Sequence, residues 1–96
     1  MKKFQVTIRF EMDEEFMSLV PQHREFINSL IGQGIIDQYV VSMETQRVWI
    51  TFTANTKTEV EEYLMQSPLN PYWVFEIDEI FLFDGKHYRL PEVQLN

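Results

Sequence analysis

Val48-Trp49-Ile50-Thr51-Phe52-Thr53-Ala54-Asn55-Thr56-Lys57-Thr58-Glu59 is the stretch on which the fold turns. Val48, Ile50, Phe52 and Ala54 alternate with Trp49, Thr51 and Thr53, the period-two mark of a half-buried strand. The pattern then switches to a capping box, in which Thr56 satisfies the amide of Glu59 and Glu59 reaches back to Thr56, so the strand hands over directly to a helix. Val60, Tyr63 and Leu64 form that helix's inner stripe, and it stops near Gln66 because Pro68 and Pro71 exclude the helical conformation at their predecessors. A last strand begins at about Tyr72. It is apolar on both faces, with Trp73, Phe75, Ile77, Phe81 and Phe83 on one and Tyr72, Val74, Ile80 and Leu82 on the other. On the N-terminal side, Glu44-Thr45-Gln46 reads as a turn joining the first stretch to another strand between Ile35 and Met43, where Tyr39, Val40 and Val41 favour extended backbone.

Further out, Phe4, Val6, Ile8 and Phe10 alternate with Gln5, Thr7 and Arg9, which predicts the first strand. The acids from Glu11 to Glu15 suit the positive end of a following helix. Phe16, Leu19, Val20, His23, Phe26, Ile27, Leu30 and Ile31 recur at spacings of three and four along one side of it. Pro21 either begins the main helix or kinks a longer one, and Gly32 and Gly34 supply the conformations that end it. The order strand, helix, strand, strand, helix, strand predicts an α+β domain of the ferredoxin-like βαββαβ kind. It has a four-stranded antiparallel sheet with two helices on one face. A single domain spans 1–96, with 85–96 a tail that is either loose or packed across a partner.

Ninety-six residues leave room for one core. The net charge of −7 argues against nucleic acid and against anionic membrane as partners. No cysteine is present, which excludes disulfides, thiolate nucleophiles and Cys-based zinc sites. No run approaches the apolar length of a membrane span, and the expected location is the cytoplasm. Eight Phe, four Tyr and two Trp are many for so small a body. Phe4, Phe10, Phe16, Phe26 and Phe52 fit a helix-on-sheet core, whereas Trp49, Trp73, Phe75, Phe81 and Phe83 are assigned to the sheet's second face. An apolar second face predicts a homodimer that pairs through its sheets.

Among polar residues, His23 stands out inside an apolar helical stripe. It is either an imidazole poised for acid–base work or a core histidine satisfied by a carbonyl or a tyrosine. Glu76 and Asp78 point the same way on the last strand, either as coupled carboxylates that make a general base or as edge acids that discourage aggregation. Arg24 is a candidate to hold a substrate carboxylate, and Asp78 and Tyr39 are further substrate-binding candidates. With two histidines and no cysteine, no metal site is expected, and no glycine-rich phosphate loop or Gly-x-Ser-x-Gly elbow is present.

Pro21-Gln22-His23-Arg24-Glu25-Phe26, followed by Leu30 and Gly34-Ile35-Ile36, resembles the Pro-x-His helix and exit of YciI-like proteins. Leu64-Met65-Gln66-Ser67-Pro68-Leu69-Asn70-Pro71-Tyr72, running into Val74-Phe75-Glu76-Ile77-Asp78, resembles the second-helix exit and last strand of the muconolactone delta-isomerase family. Both resemblances imply the dimeric α+β-barrel superfamily, with ferredoxin-like protomers paired through their sheets. The isomerase resemblance implies a cofactor-free proton shift in an unsaturated lactone or small carbonyl metabolite. His23 would be the proton carrier, with Glu76 or Tyr72 as the second group. The YciI-like resemblance also points to His23. It leaves open a non-catalytic dimer that binds a small ligand or is purely structural.

Overall fold

The computed structural model describes residues 1–84, so the tail expected at 85–96 lies outside the described residues. The elements are β1 (Lys2–Phe10), α1 (Glu14–Gly32), β2 (Ile36–Ser42), β3 (Arg47–Ala54), α2 (Lys57–Met65), a short 3-10 turn (Asn70–Tyr72) and β4 (Trp73–Ile80). Each boundary has a local cause. Asp13 caps α1 by accepting from the Phe16 amide at 2.9 Å, and Glu14 and Glu15 follow in the first turn. The helix is continuous across Pro21, which therefore lies inside a longer helix and does not begin it. Gly34 has φ +78°, its amide donates to Ile31, and the Ile35 amide donates to Leu30; this is a Schellman ending that a left-handed glycine permits.

At α2 the Glu59 amide donates to Thr56 Oγ1 at 3.1 Å. The Glu59 carboxylate reaches one residue further back than the capping box requires, accepting from the Asn55 amide at 2.8 Å. Thr56→Ala leaves the Glu59 amide without this partner, and the expected loss is about 1 kcal/mol of unfolding free energy, read from the urea midpoint at unchanged slope.

The sheet order is β2-β3-β1-β4, antiparallel throughout, with β2 and β4 at the edges. This is the ferredoxin-like arrangement. Phe4, Val6, Ile8 and Phe10 of β1 face the same way as Val48, Ile50, Phe52 and Ala54 of β3, and all are buried. Phe10 stacks on Phe16 of α1 and Phe52 on Tyr63 of α2, so both helices cover one face. Full burial of each large apolar side chain in this layer contributes roughly 1.5–3 kcal/mol.

The register of β4 alters one expectation. Phe10 pairs with Trp73, Ile8 with Phe75 and Val6 with Ile77, which turns these β4 residues toward the helices. Trp73 is therefore core, and Phe75 and Ile77 pack at its margin, instead of serving the second face. β4 also ends at Ile80, before Phe81 and Phe83, and Phe81 is fully exposed. The uncovered face carries Trp49, Val40 and Val74 among polar links: Thr51 donates to Gln5 at 2.7 Å, and Lys3 Nζ lies 2.7 Å from Asp37. Phe83 lies 5.3 Å from Lys3 Nζ, as a ring against a cation. Among the described residues no helix is long and apolar enough to cross a membrane.

Candidate functional site

α1 presents Phe16, His23, Ile27 and Leu30 to the sheet, so the imidazole enters the protein on the strength of its helical phase alone. His23 is 2% exposed. A buried imidazole needs partners for both nitrogens, and here both are hydroxyls. Nδ1 lies 2.8 Å from Ser67 Oγ, just past the end of α2, and Nε2 lies 2.7 Å from the Tyr39 hydroxyl on β2. Ser67 Oγ also accepts from the Leu69 amide at 3.0 Å, which anchors this end of the chain to the backbone. Trp73 packs edge-on against the imidazole, with ring centroids 5.6 Å apart.

Beside these groups lies a pocket of about 180 Å³ between α1 and the sheet. Phe10, Phe16, Val48, Leu69 and Trp73 line it together with His23 and Tyr39, and Met12, Met17, Met43 and Arg24 are among the remaining lining residues. Engineered cavities of about 150 Å³ accept benzene, so this volume suits one ring with short substituents. The three methionines are each more than one-third exposed, and their unbranched thioethers adapt to the shape of what enters.

The electrostatics keep the polar pole uncharged. Burial, helped by the Arg24 cation, lowers the His23 pKa from 6.5 to about 4. Burial raises the Tyr39 phenol, with Arg24 pulling in the other direction. The Arg24 guanidinium sits over the Tyr39 ring at 5.7 Å, where it can meet a ligand's carboxylate. At neutral pH the pocket thus offers a neutral imidazole–phenol pair and one cation inside otherwise apolar walls.

The structure brings His23, Tyr39 and Arg24 together and leaves Tyr72, Glu76 and Asp78 elsewhere. Glu76 pairs with Thr7 and Asp78 with Gln5, on the face away from the helices. The two carboxylates do share a face, but it is the wrong side of the sheet for His23. Tyr72 packs edge-on against Phe16 and donates to Glu15 at 3.2 Å. Loss of water, followed by the negative charges of Asp13 and Glu15, pushes its phenol up. It lines a separate cleft of about 550 Å³ that shares Phe10 and Trp73 with the first pocket as a wall. Ser67 had no periodic signal; its place two residues before Leu69, in the Ser-Pro exit from α2, is the only local mark it bears. Among the described residues no cluster of three or more metal-ligating side chains occurs.

The fold and pocket together define a class: a ferredoxin-like α+β domain with a small-molecule-sized pocket between its first helix and its sheet. A likeness among solved structures makes this more specific. The crystal structure of muconolactone isomerase superposes with a TM-score of 0.70 at 20% identity, over 88% of this chain and 93% of that one. The shared architecture is therefore that of muconolactone isomerase. No family model matches the sequence, and no curated protein does.

Proposed function

We propose that this protein is a cofactor-free isomerase that binds a small carbonyl compound, of the unsaturated lactone kind, in the α1–sheet pocket and shifts a proton within it. The observation that carries this reading is the 2.7 Å His23–Tyr39 contact at the wall of an apolar pocket of about 180 Å³. Removing a proton next to a carbonyl places negative charge on its oxygen. A fixed donor between apolar walls stabilises that charge better than water does. Both His23 nitrogens are engaged by hydroxyls, so His23 acts on a ligand through Tyr39, which is the member of the pair that touches it. Arg24 orients a carboxylate substituent. A water molecule at the methionine-lined side takes the carbon-bound proton, and the hydronium so formed returns a proton one double bond further along, so that the charge and proton count of the substrate are unchanged. Incubation of the protein with small unsaturated lactones, followed by NMR of the double-bond protons, tests the activity.

The fold shared with muconolactone isomerase supports this reading. A second reading, a non-catalytic ligand-binding protein of YciI-like kind, is favoured by one observation: among the described residues no carboxylate lines the pocket to serve as a base for carbon. The two readings differ in turnover, not in where the ligand sits.

The working unit we propose is a cytoplasmic homodimer formed through the uncovered sheet face. Trp49, Val40 and Val74 would meet their counterparts there, and the exposed Phe81 and Leu82 beyond β4 would extend the contact. On the same face Arg9 stands opposite Arg47, and Glu76 and Asp78 lie further along, so a two-fold pairing can set cations against acids. Light scattering at low micromolar concentration is expected to give twice the chain mass. A single-chain mass would remove the dimer and leave the pocket unaffected.

A further inference from the structure

We infer that Ser67 is a positioning residue that fixes the tautomer of His23, and that it thereby makes Tyr39 a hydrogen-bond donor into the pocket. The site then prefers ligands that carry an acceptor over size-matched ligands that carry only a donor. This inference rests on the small-ligand reading of the same pocket and specifies which chemistry that ligand must present.

The argument is one of hydrogen-bond accounting. A neutral imidazole has one N–H and one bare nitrogen, so the chain Ser67–His23–Tyr39 has two possible directions. In one, the His23 Nδ1–H donates to Ser67 and Tyr39 donates to Nε2. Ser67 Oγ then accepts twice, from Nδ1 and from the Leu69 amide, and its own hydroxyl proton has no acceptor among the described residues. Ser67 is 5% exposed, so water is a poor substitute, and a buried donor left unmade is the costly outcome.

In the other direction Ser67 accepts from Leu69 and donates to Nδ1. The Nε2–H donates to the Tyr39 oxygen, and the Tyr39 O–H is left free to point outward. Every buried group is then satisfied, and the surplus donor falls on Tyr39, the half-buried member that lines the pocket. Each link in such a chain polarises the next, which strengthens the terminal O–H as a donor. A ligand carbonyl completes the chain, whereas an N–H ligand finds only the weaker second acceptor position of an oxygen already bonded to the Nε2–H.

The experiment has two arms. Long-range ¹H–¹⁵N spectra of imidazole-labelled protein report the His23 tautomer with no ligand present. The expected pattern is protonated Nε2 and bare Nδ1 at pH 7, and Ser67→Ala is expected to disturb it. In the second arm 1-indanone, indane and indole, an acceptor, a plain hydrocarbon and a donor of nearly one size, are titrated into the protein. Indanone is expected to bind about tenfold more tightly than indole, a difference of the size one hydrogen bond supplies, and Ser67→Ala is expected to narrow that gap. A protonated Nδ1 overturns the inference whatever the ligands do. Equal affinity for indanone and indole overturns it as well. Failure of all three to bind, with the Nε2–H pattern intact, overturns the pocket reading and with it the ligand preference drawn here.

Discussion

Tyr39→Phe is expected to lower turnover of a responsive unsaturated lactone about 10²–10³-fold, the range found when one donor to a developing oxyanion is removed. The substitution keeps the ring under Arg24 and beside His23 and deletes only the oxygen that faces the pocket. The loss falls on kcat more than on KM, because the hydrogen bond strengthens as charge gathers on the carbonyl oxygen. His23 loses its Nε2 partner at the same time, so the variant is also expected to be less stable by about 1–3 kcal/mol. A thermal melt separates the two effects: a folded Tyr39→Phe protein with full turnover would remove Tyr39 from the reaction.

The second large effect is on stability as the pH falls. The folded His23 has its pKa depressed from 6.5 to about 4, so the unfolded chain takes up this proton first. The contribution of a neutral His23 is thus fully present above pH 6.5 and is lost progressively between 6.5 and 4. Over that window the unfolding free energy is expected to fall by on the order of 3 kcal/mol from this group alone. The comparison is with His23→Gln, because every other ionisable group is common to the two proteins and cancels. The difference in unfolding free energy between the two proteins, measured in urea at a series of pH values, isolates the imidazole. A difference that stays constant from pH 7 to pH 4 would show that His23 is protonated as easily in the fold as in the open chain.

Much of the architecture can be read from short-range patterns. Val48 to Ala54 alternates cleanly because one face of β3 is core and the other carries Trp49, Thr51 and Thr53, and Thr56 caps α2 as its spacing from Glu59 requires. His23 is conspicuous because it is polar at a position whose helical phase faces the sheet. The face of β4 is harder to read. Trp73 and Val74 are both apolar, so composition alone does not orient the strand, and its pairing with β1 decides the matter. The alternation of Glu76 and Asp78 with Phe75 and Ile77 is the local clue that the acids point away from the helices.

The rest of the site depends on contacts between residues far apart in the chain. Tyr39 lies 16 residues from His23 and Ser67 lies 44, and neither distance leaves a periodic trace. Tyr39 sits on an edge strand beside Val40 and Val41, where an aromatic residue is ordinary. Ser67 resembles a helix-exit residue because it is one. Only the folded arrangement shows that the two hydroxyls hold opposite ends of a single imidazole.

Proton exchange during turnover tests the central claim most directly. With the protein in D₂O and a small unsaturated lactone as substrate, NMR reports whether the double bond moves and whether deuterium enters the product. The expected result is isomerised lactone carrying solvent deuterium at the carbon that receives the returning proton, with Tyr39→Phe suppressing both signals together. Lactone that binds in the pocket, shown by shifts at Tyr39 and Arg24, yet neither isomerises nor exchanges, would contradict the account and leave a binding protein in its place.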